Sequence, residues 1–148
     1  MLEGMKTLYT ATATASEGGR QNGRTRTDDG KLDLQLSVPA SMGGDGGEGT
    51  NPEQLFAAGY AACFASAVAS SAARDGNAEA VKDATVTAHV DLGALGKGRF
   101  GLAVKLDVKV PGLEQDAAEA LVALAHERCP YSNATRGNIE VELSVEGS

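Results

Sequence analysis

Cysteine, basic charge and unbroken apolar runs are all scarce in this chain. Two cysteines in 148 residues do not make a disulfide framework, and a fold of this length buries roughly 70% of its unfolded surface without a covalent staple. One compact domain over residues 1–148 is therefore expected. There is no charged, then apolar, then small-residue leader, which argues against secretion and for the cytoplasm. The longest apolar stretch is broken by glycine and serine and followed by Arg74 and Asp75, so no membrane span is expected. Acidic residues outnumber basic ones, 20 Asp plus Glu against 13 Lys plus Arg for a formal charge of −7, and no basic block occurs. Neither nucleic acid nor an anionic membrane is expected as the main partner. No repeat or long low-complexity linker divides the chain.

What the chain does have is a long stretch of small residues from Gly49 to Ser71, GTNPEQLFAAGYAACFASAVASS. Thr50 and Asn51 ahead of Pro52, with Glu53 in the first turn, mark a helix start. Ala57, Ala58, Gly59, Ala61, Ala62, Ala65, Ala67 and Ala69 let other backbones approach on several faces, which suits a centrally buried helix. Cys63 falls in the middle of it.

Ahead of that helix, Lys6 to Ser16 alternates as a strand, GGRQNGR reverses it, and Arg24 to Thr27 returns. Asp29-Gly30 signals a hairpin into Lys31 to Val38, where leucines alternate with polar residues. The glycine-dense SMGGDGGEGT lacks the lysine and spacing of a phosphate-binding loop and reads as a plain connection. Asp75, Gly76 and Asn77 end the long helix. Ala84 to Leu92 and Arg99 to Val110 alternate as strands, Glu114 to Glu127 has helical spacing, and Asn138 to Val145 closes as a strand. The order βββαββαβ predicts an α+β domain with mostly antiparallel sheets around the buried helix.

Cys63 and Cys129 are 66 residues apart, but each belongs to a helix expected on the same sheet, so the two can meet. From composition alone Cys63 reads as a small buried apolar residue. Cys129, directly before Pro130 in RCPYSNATRGN, stands where a loop must leave the helix. As a redox pair the thiols need a cation to favour the thiolate, and Arg20 in its glycine-flanked turn is the candidate, with Glu53 the carboxylate to aim it. The alternatives are a solvated turn charge for Arg20 and a dipole-favoured helix-start residue for Glu53. Glu53 and Cys63 are separated by about 15 Å of helical rise, so either the arginine bridges part of that gap from the side or a second subunit supplies one of the groups, and a homodimer of paired small-residue helices with its sites at or near the interface is expected. His89 and His126 form no zinc spacing with the cysteines and read as a strand residue and a helix-surface residue; no metal is expected. Phe56, Phe64, Phe100, Leu92, Leu95 and Met42 suit an apolar pocket or the core equally, while Tyr60 and Tyr131 read as packing groups.

At NPEQLFAAGYAACF and CPYSNATRGNIEV, and from MKTLYTATATASEGGR at Met5 to the final strand, the sequence resembles the Ohr branch of the Ohr/OsmC family, the organic hydroperoxide resistance proteins. The resemblance implies an OsmC-like fold in an intertwined homodimer, and a thiol peroxidase that reduces organic hydroperoxides to alcohols. It implies that Cys63 is the peroxidatic and Cys129 the resolving cysteine, joined as a disulfide in turnover, with Arg20 and Glu53 activating and orienting the thiolate. A substrate pocket including Phe56, Tyr60, Phe64, Phe100, Met42 and Leu95 follows. No bound cofactor is implied; reducing equivalents come from dihydrolipoyl groups on a lipoylated protein rather than from thioredoxin. An OsmC-type peroxidase of broader substrate range and a non-enzymatic module that binds a hydrophobic ligand are the competing readings.

Overall fold

Alternating β-formers can make a strand only where a second strand lies alongside, and that condition trims the N-terminal third of this chain. A computed structural model describes residues 3–148. It divides into two compact units, Met1–Pro52 and Glu53–Ser148. In the first unit β1 (Ala13–Ser16), β2 (Arg24–Thr27) and β3 (Asp33–Gln35) form an antiparallel sheet in that order. The strand expected over Lys6 to Ser16 is thus only its last four residues. The register ends at Ala13 opposite Thr27, so residues 6–12 run on exposed beyond the end of the ladder. β3 is likewise shorter than Lys31 to Val38. Arg24 reaches diagonally from β2 to Asp33 on β3 at 2.6 Å, a half-exposed pair of little net stability.

The second unit opens with α1 (Pro52–Arg74). Gly76 at φ +75° ends it, with Asn77 N–H bonded to the Ala72 carbonyl at 2.8 Å and Gly76 N–H to that of Ala73 at 3.2 Å. This left-handed glycine closure satisfies carbonyls that the helix end would leave bare. β4 (Thr85–Gly96) and β5 (Arg99–Lys109) form a long antiparallel hairpin, turning at Lys97 and Gly98, both with positive φ. α2 (Gln115–Arg128) and α3 (Pro130–Thr135) then carry the chain back, so β6 (Val141–Glu146) pairs with β5 in parallel.

Rows of side chains run across this sheet. Val90, Val104 and Val141 form one, Ala88, Leu106 and Leu143 the next, Val86, Val108 and Val145 the third. These rows pack in one core with Tyr60, Phe64, Val68 and Ala72 of α1 and with Ala118, Leu121, Val122 and Ala125 of α2. Both helices present an i, i+4, i+7 type of stripe. The sequence predicts α1 covered on several faces; in this chain only one stripe is buried, while Ala58, Ala62, Ser66, Ala69 and Ala73 are exposed. By length and composition α1 passes for a membrane-crossing helix, but its large apolar side chains belong to the core. The final correction is local: the segment after Cys129, expected as a loop, is α3.

Candidate active site

Cys63 lies on α1 one position round from the fully buried Phe64, at the edge of the buried stripe, and stays partly exposed. Cys129 continues the α2 stripe of Ala118, Leu121, Val122 and Ala125 and is fully buried. It is also the joint between two helices: its N–H closes α2 on the Ala125 carbonyl at 2.8 Å, and its carbonyl accepts the Asn133 N–H at 2.9 Å. The two stripes bring the sulfurs to 3.6 Å. Burial pushes the Cys63 thiol up, the Tyr131 backbone N–H pulls against that rise, and the adjoining Cys129 adds to it. Within this setting Cys63 holds its proton, and a thiolate there needs positive charge brought to it.

Aromatic rings from α1 and α3 pack together. Phe56, Tyr60 and Tyr131 form a triangle with centroids 5.6 to 6.2 Å apart. Tyr131 fits because residue 59 is glycine: a Cβ there would stand 2.7 Å from the Tyr131 hydroxyl and 3.2 Å from its ring. Beyond these rings lies a cavity of about 590 Å³, lined by Phe56, Tyr131, Phe100, Leu102 and Ile139 among others. Phe56 and Phe100 thus line a cavity. Tyr60 and Phe64 do not, being fully buried in the core, where the triangle and the α1 stripe place them. Leu95 is 60% exposed and leans over Gly101 across the hairpin, and Met42 sits exposed on a short helical turn, Ala40–Met42, of the first unit.

Polar groups gather at the Tyr60 phenol of the same triangle. The Ser132 hydroxyl lies 2.8 Å from Tyr60 Oη and 2.8 Å from His126 Nδ1, and Thr135 Oγ1 lies 3.2 Å from the same phenol oxygen. Tyr131 and His126 read from sequence as a packing group and a helix-surface residue, and Ser132 carries no signal there at all. Only the adjacency of Tyr131 to Cys-Pro hints at more; Ser132 meets a partner 72 residues away, which no local pattern marks.

Arg20 belongs to the first unit, on a turn with unusual backbone: Glu17, Gly18, Gly19 and Asn22 all have positive φ. Gly23 closes that turn so tightly that a Cβ would lie 2.2 Å from the Ser16 carbonyl oxygen. Glu53 is the second residue of α1, and the helix runs unbroken, so about 15 Å of rise separates it from Cys63. His89 pairs with Asp107 at 2.8 Å, and His126 is committed to Ser132. Among the described residues no group of three His, Cys, Asp or Glu is arranged to hold a metal.

A thiol on a long helix, a second thiol at a helix joint, and a three-stranded sheet beneath both define a two-cysteine α+β domain. Residues 44–144 match the family model described as OsmC-like protein. The organic hydroperoxide resistance protein of Xanthomonas axonopodis pv. citri is 50% identical over 140 residues, 95% of this chain and 96% of that one. The solved organic hydroperoxide resistance protein OsmC of Legionella pneumophila is 50% identical with a TM-score of 0.88, covering 95% of this chain and 99% of its own. That of Elizabethkingia anophelis is 45% identical with a TM-score of 0.90, covering 97% and 100%. The chain belongs to the OsmC-like family, among its organic hydroperoxide resistance proteins.

Proposed function

We propose that this protein is a cysteine-based peroxidase that reduces organic hydroperoxides to alcohols and so defends its cell against peroxide stress. The relatives' names support peroxide defence, and one observation carries the chemistry: a partly exposed thiol with a buried thiol 3.6 Å behind it. The thiolate of Cys63 attacks the distal oxygen of R–O–O–H, the O–O bond breaks, and the alkoxide leaves to be protonated as the alcohol. The Cys63 sulfenic acid then condenses with the Cys129 thiol, forming the S–S bond and releasing water. A dithiol, a dihydrolipoyl group on a lipoylated protein, reduces the disulfide and is itself oxidised to the cyclic disulfide.

Because burial holds the Cys63 proton on, a cation has to favour the thiolate. Arg20 takes that role in this reading, and Glu53 aims it; both assignments rest on the GGR and NPEQ motifs. The apolar cavity beside Tyr131 favours alkyl and aryl hydroperoxides over hydrogen peroxide. The exposed small-residue stripe of α1 supports a homodimer, working in the cytoplasm. Light scattering at assay concentration gives a dimer mass in this reading, and a monomer removes the dimer from it.

The decisive assay follows loss of tert-butyl hydroperoxide with dihydrolipoamide and, separately, with thioredoxin and its reductase. Sustained turnover with the first and little with the second is expected. No loss of hydroperoxide with either one overturns the peroxidase.

A further inference from the structure

Three residues past Cys129, the fully buried Ser132 hydroxyl joins three helices. It lies 2.8 Å from Tyr60 on α1, the helix of Cys63, and 2.8 Å from His126 on α2, the helix that ends at Cys129, while Ser132 itself rides on α3. Thr135, one turn on, approaches the same phenol at 3.2 Å and donates to the Tyr131 carbonyl at 3.0 Å. On the outer side Arg136 donates to Asn133 Oδ1 at 2.6 Å and to the His126 carbonyl, closing the same joint. None of these groups hydrogen-bonds to either sulfur, so the peroxidase chemistry leaves them without a task.

We propose that the Tyr60–Ser132–His126 bridge is a positioning device for Cys129, setting how fast the Cys63 sulfenic acid is captured as a disulfide. The proposal rests on the peroxidase reading. To bond, the sulfurs must close from 3.6 Å to about 2.05 Å. Cys63 sits in the middle of a 23-residue helix whose backbone bonds resist displacement. Cys129 sits at a joint with extended backbone, φ −65° and ψ 123°, so the closure is made by the α2–α3 corner, and the bridge fixes that corner to α1. Condensation competes with a second hydroperoxide, which takes the sulfenic acid to sulfinic acid while being reduced to alcohol. A loosened corner loses that competition; the first attack on hydroperoxide is untouched.

The test uses the full chain, with one equivalent of tert-butyl hydroperoxide for the rates and a series in excess for over-oxidation, comparing wild type with Ser132→Ala and with Tyr60→Phe, which removes one oxygen and keeps the ring. Stopped-flow loss of hydroperoxide reads the first step; acid quench and mass spectrometry read sulfenic acid, disulfide and sulfinic acid. Both variants are expected to keep the first step within about twofold and to close the disulfide about tenfold more slowly, since a misplacement near 1 Å costs up to about a hundredfold. Sulfinic acid then accumulates at lower hydroperoxide. If Tyr60→Phe, folded by circular dichroism, closes its disulfide at the wild-type rate with unchanged peroxide tolerance, the bridge is only structural and the proposal is overturned. A wild type that forms neither sulfenic acid nor disulfide instead brings down the peroxidase reading, and the proposal with it.

Discussion

Cys63 and Cys129 lie at sulfur–sulfur contact in unlike surroundings. One is held mid-helix at the edge of a buried stripe and reaches solvent; the other is enclosed, at a corner where two helices meet. Identical side chains are thereby given different surroundings by backbone and burial alone, and the proposed reaction assigns them different roles. In that reaction the peroxide meets the open thiol, and the thiol at the corner closes on the oxidised sulfur. The largest expected effect breaks this contrast directly. Cys63→Ser removes essentially all hydroperoxide consumption, whereas Cys129→Ser consumes about one equivalent in forming the sulfenic acid and about a second as that goes to Cys63 sulfinic acid, without sustained turnover. Equal residual turnover in the two variants, measured by hydroperoxide loss per subunit, means the thiols are interchangeable and the contrast is empty.

Gly59 tests the same contrast from the Cys63 side, with a moderate effect. Alanine is the better helix former by about 1 kcal/mol, yet its Cβ would stand 2.7 Å from the Tyr131 hydroxyl. Pushing a packed ring aside costs about 1–3 kcal/mol, so Gly59→Ala is expected to lower stability by about 1 kcal/mol net. Tyr131 also supplies the backbone N–H that favours the Cys63 thiolate. Displacing it should slow alkylation of Cys63 at neutral pH, read by mass spectrometry of iodoacetamide-treated protein. A Gly59→Ala variant that melts higher and labels faster contradicts the packing argument.

What could be read from residues alone divides along physical lines. The start of α1 at Pro52, its glycine closure at Gly76, the alternation of β5 and the α2 stripe are all written in neighbouring residues, and each element lies close to where that grammar puts it. The meeting of Cys63 with Cys129 follows because both lie on helices that share one sheet. Features set by distant partners were not legible. Residues 6–12 have strand-like alternation but lie beyond the Ala13–Thr27 end of the ladder, α3 was hidden behind a proline that equally suits a turn, and the one-sided burial of α1 depends on what covers its other face. Ser132 is the sharpest case: a serine in a polar run looks solvated, and only folding brings Tyr60 and His126 to it.

The smallest expected effect belongs to the Cys129 side, at His126. Burial lowers its pKa from the ordinary 6.5, and the neighbouring Arg136 charge lowers it further; its ring otherwise faces Ser132 and, at 6.3 Å, Phe64. The folded chain therefore holds this proton less firmly than the unfolded chain. Its contribution is fully present above pH 6.5 and is lost as pH falls from there toward the depressed folded value. The loss is small, because a protonated imidazole still donates from Nδ1 to the Ser132 oxygen and the bridge survives with its proton order reversed. His126→Gln removes the titration, so the drop in melting temperature between about pH 7.5 and about pH 5.5 should be smaller in the variant than in wild type. A wild type that gains stability on acidification relative to His126→Gln would mean that His126 prefers its charged form in the fold, opposite to what burial and Arg136 impose.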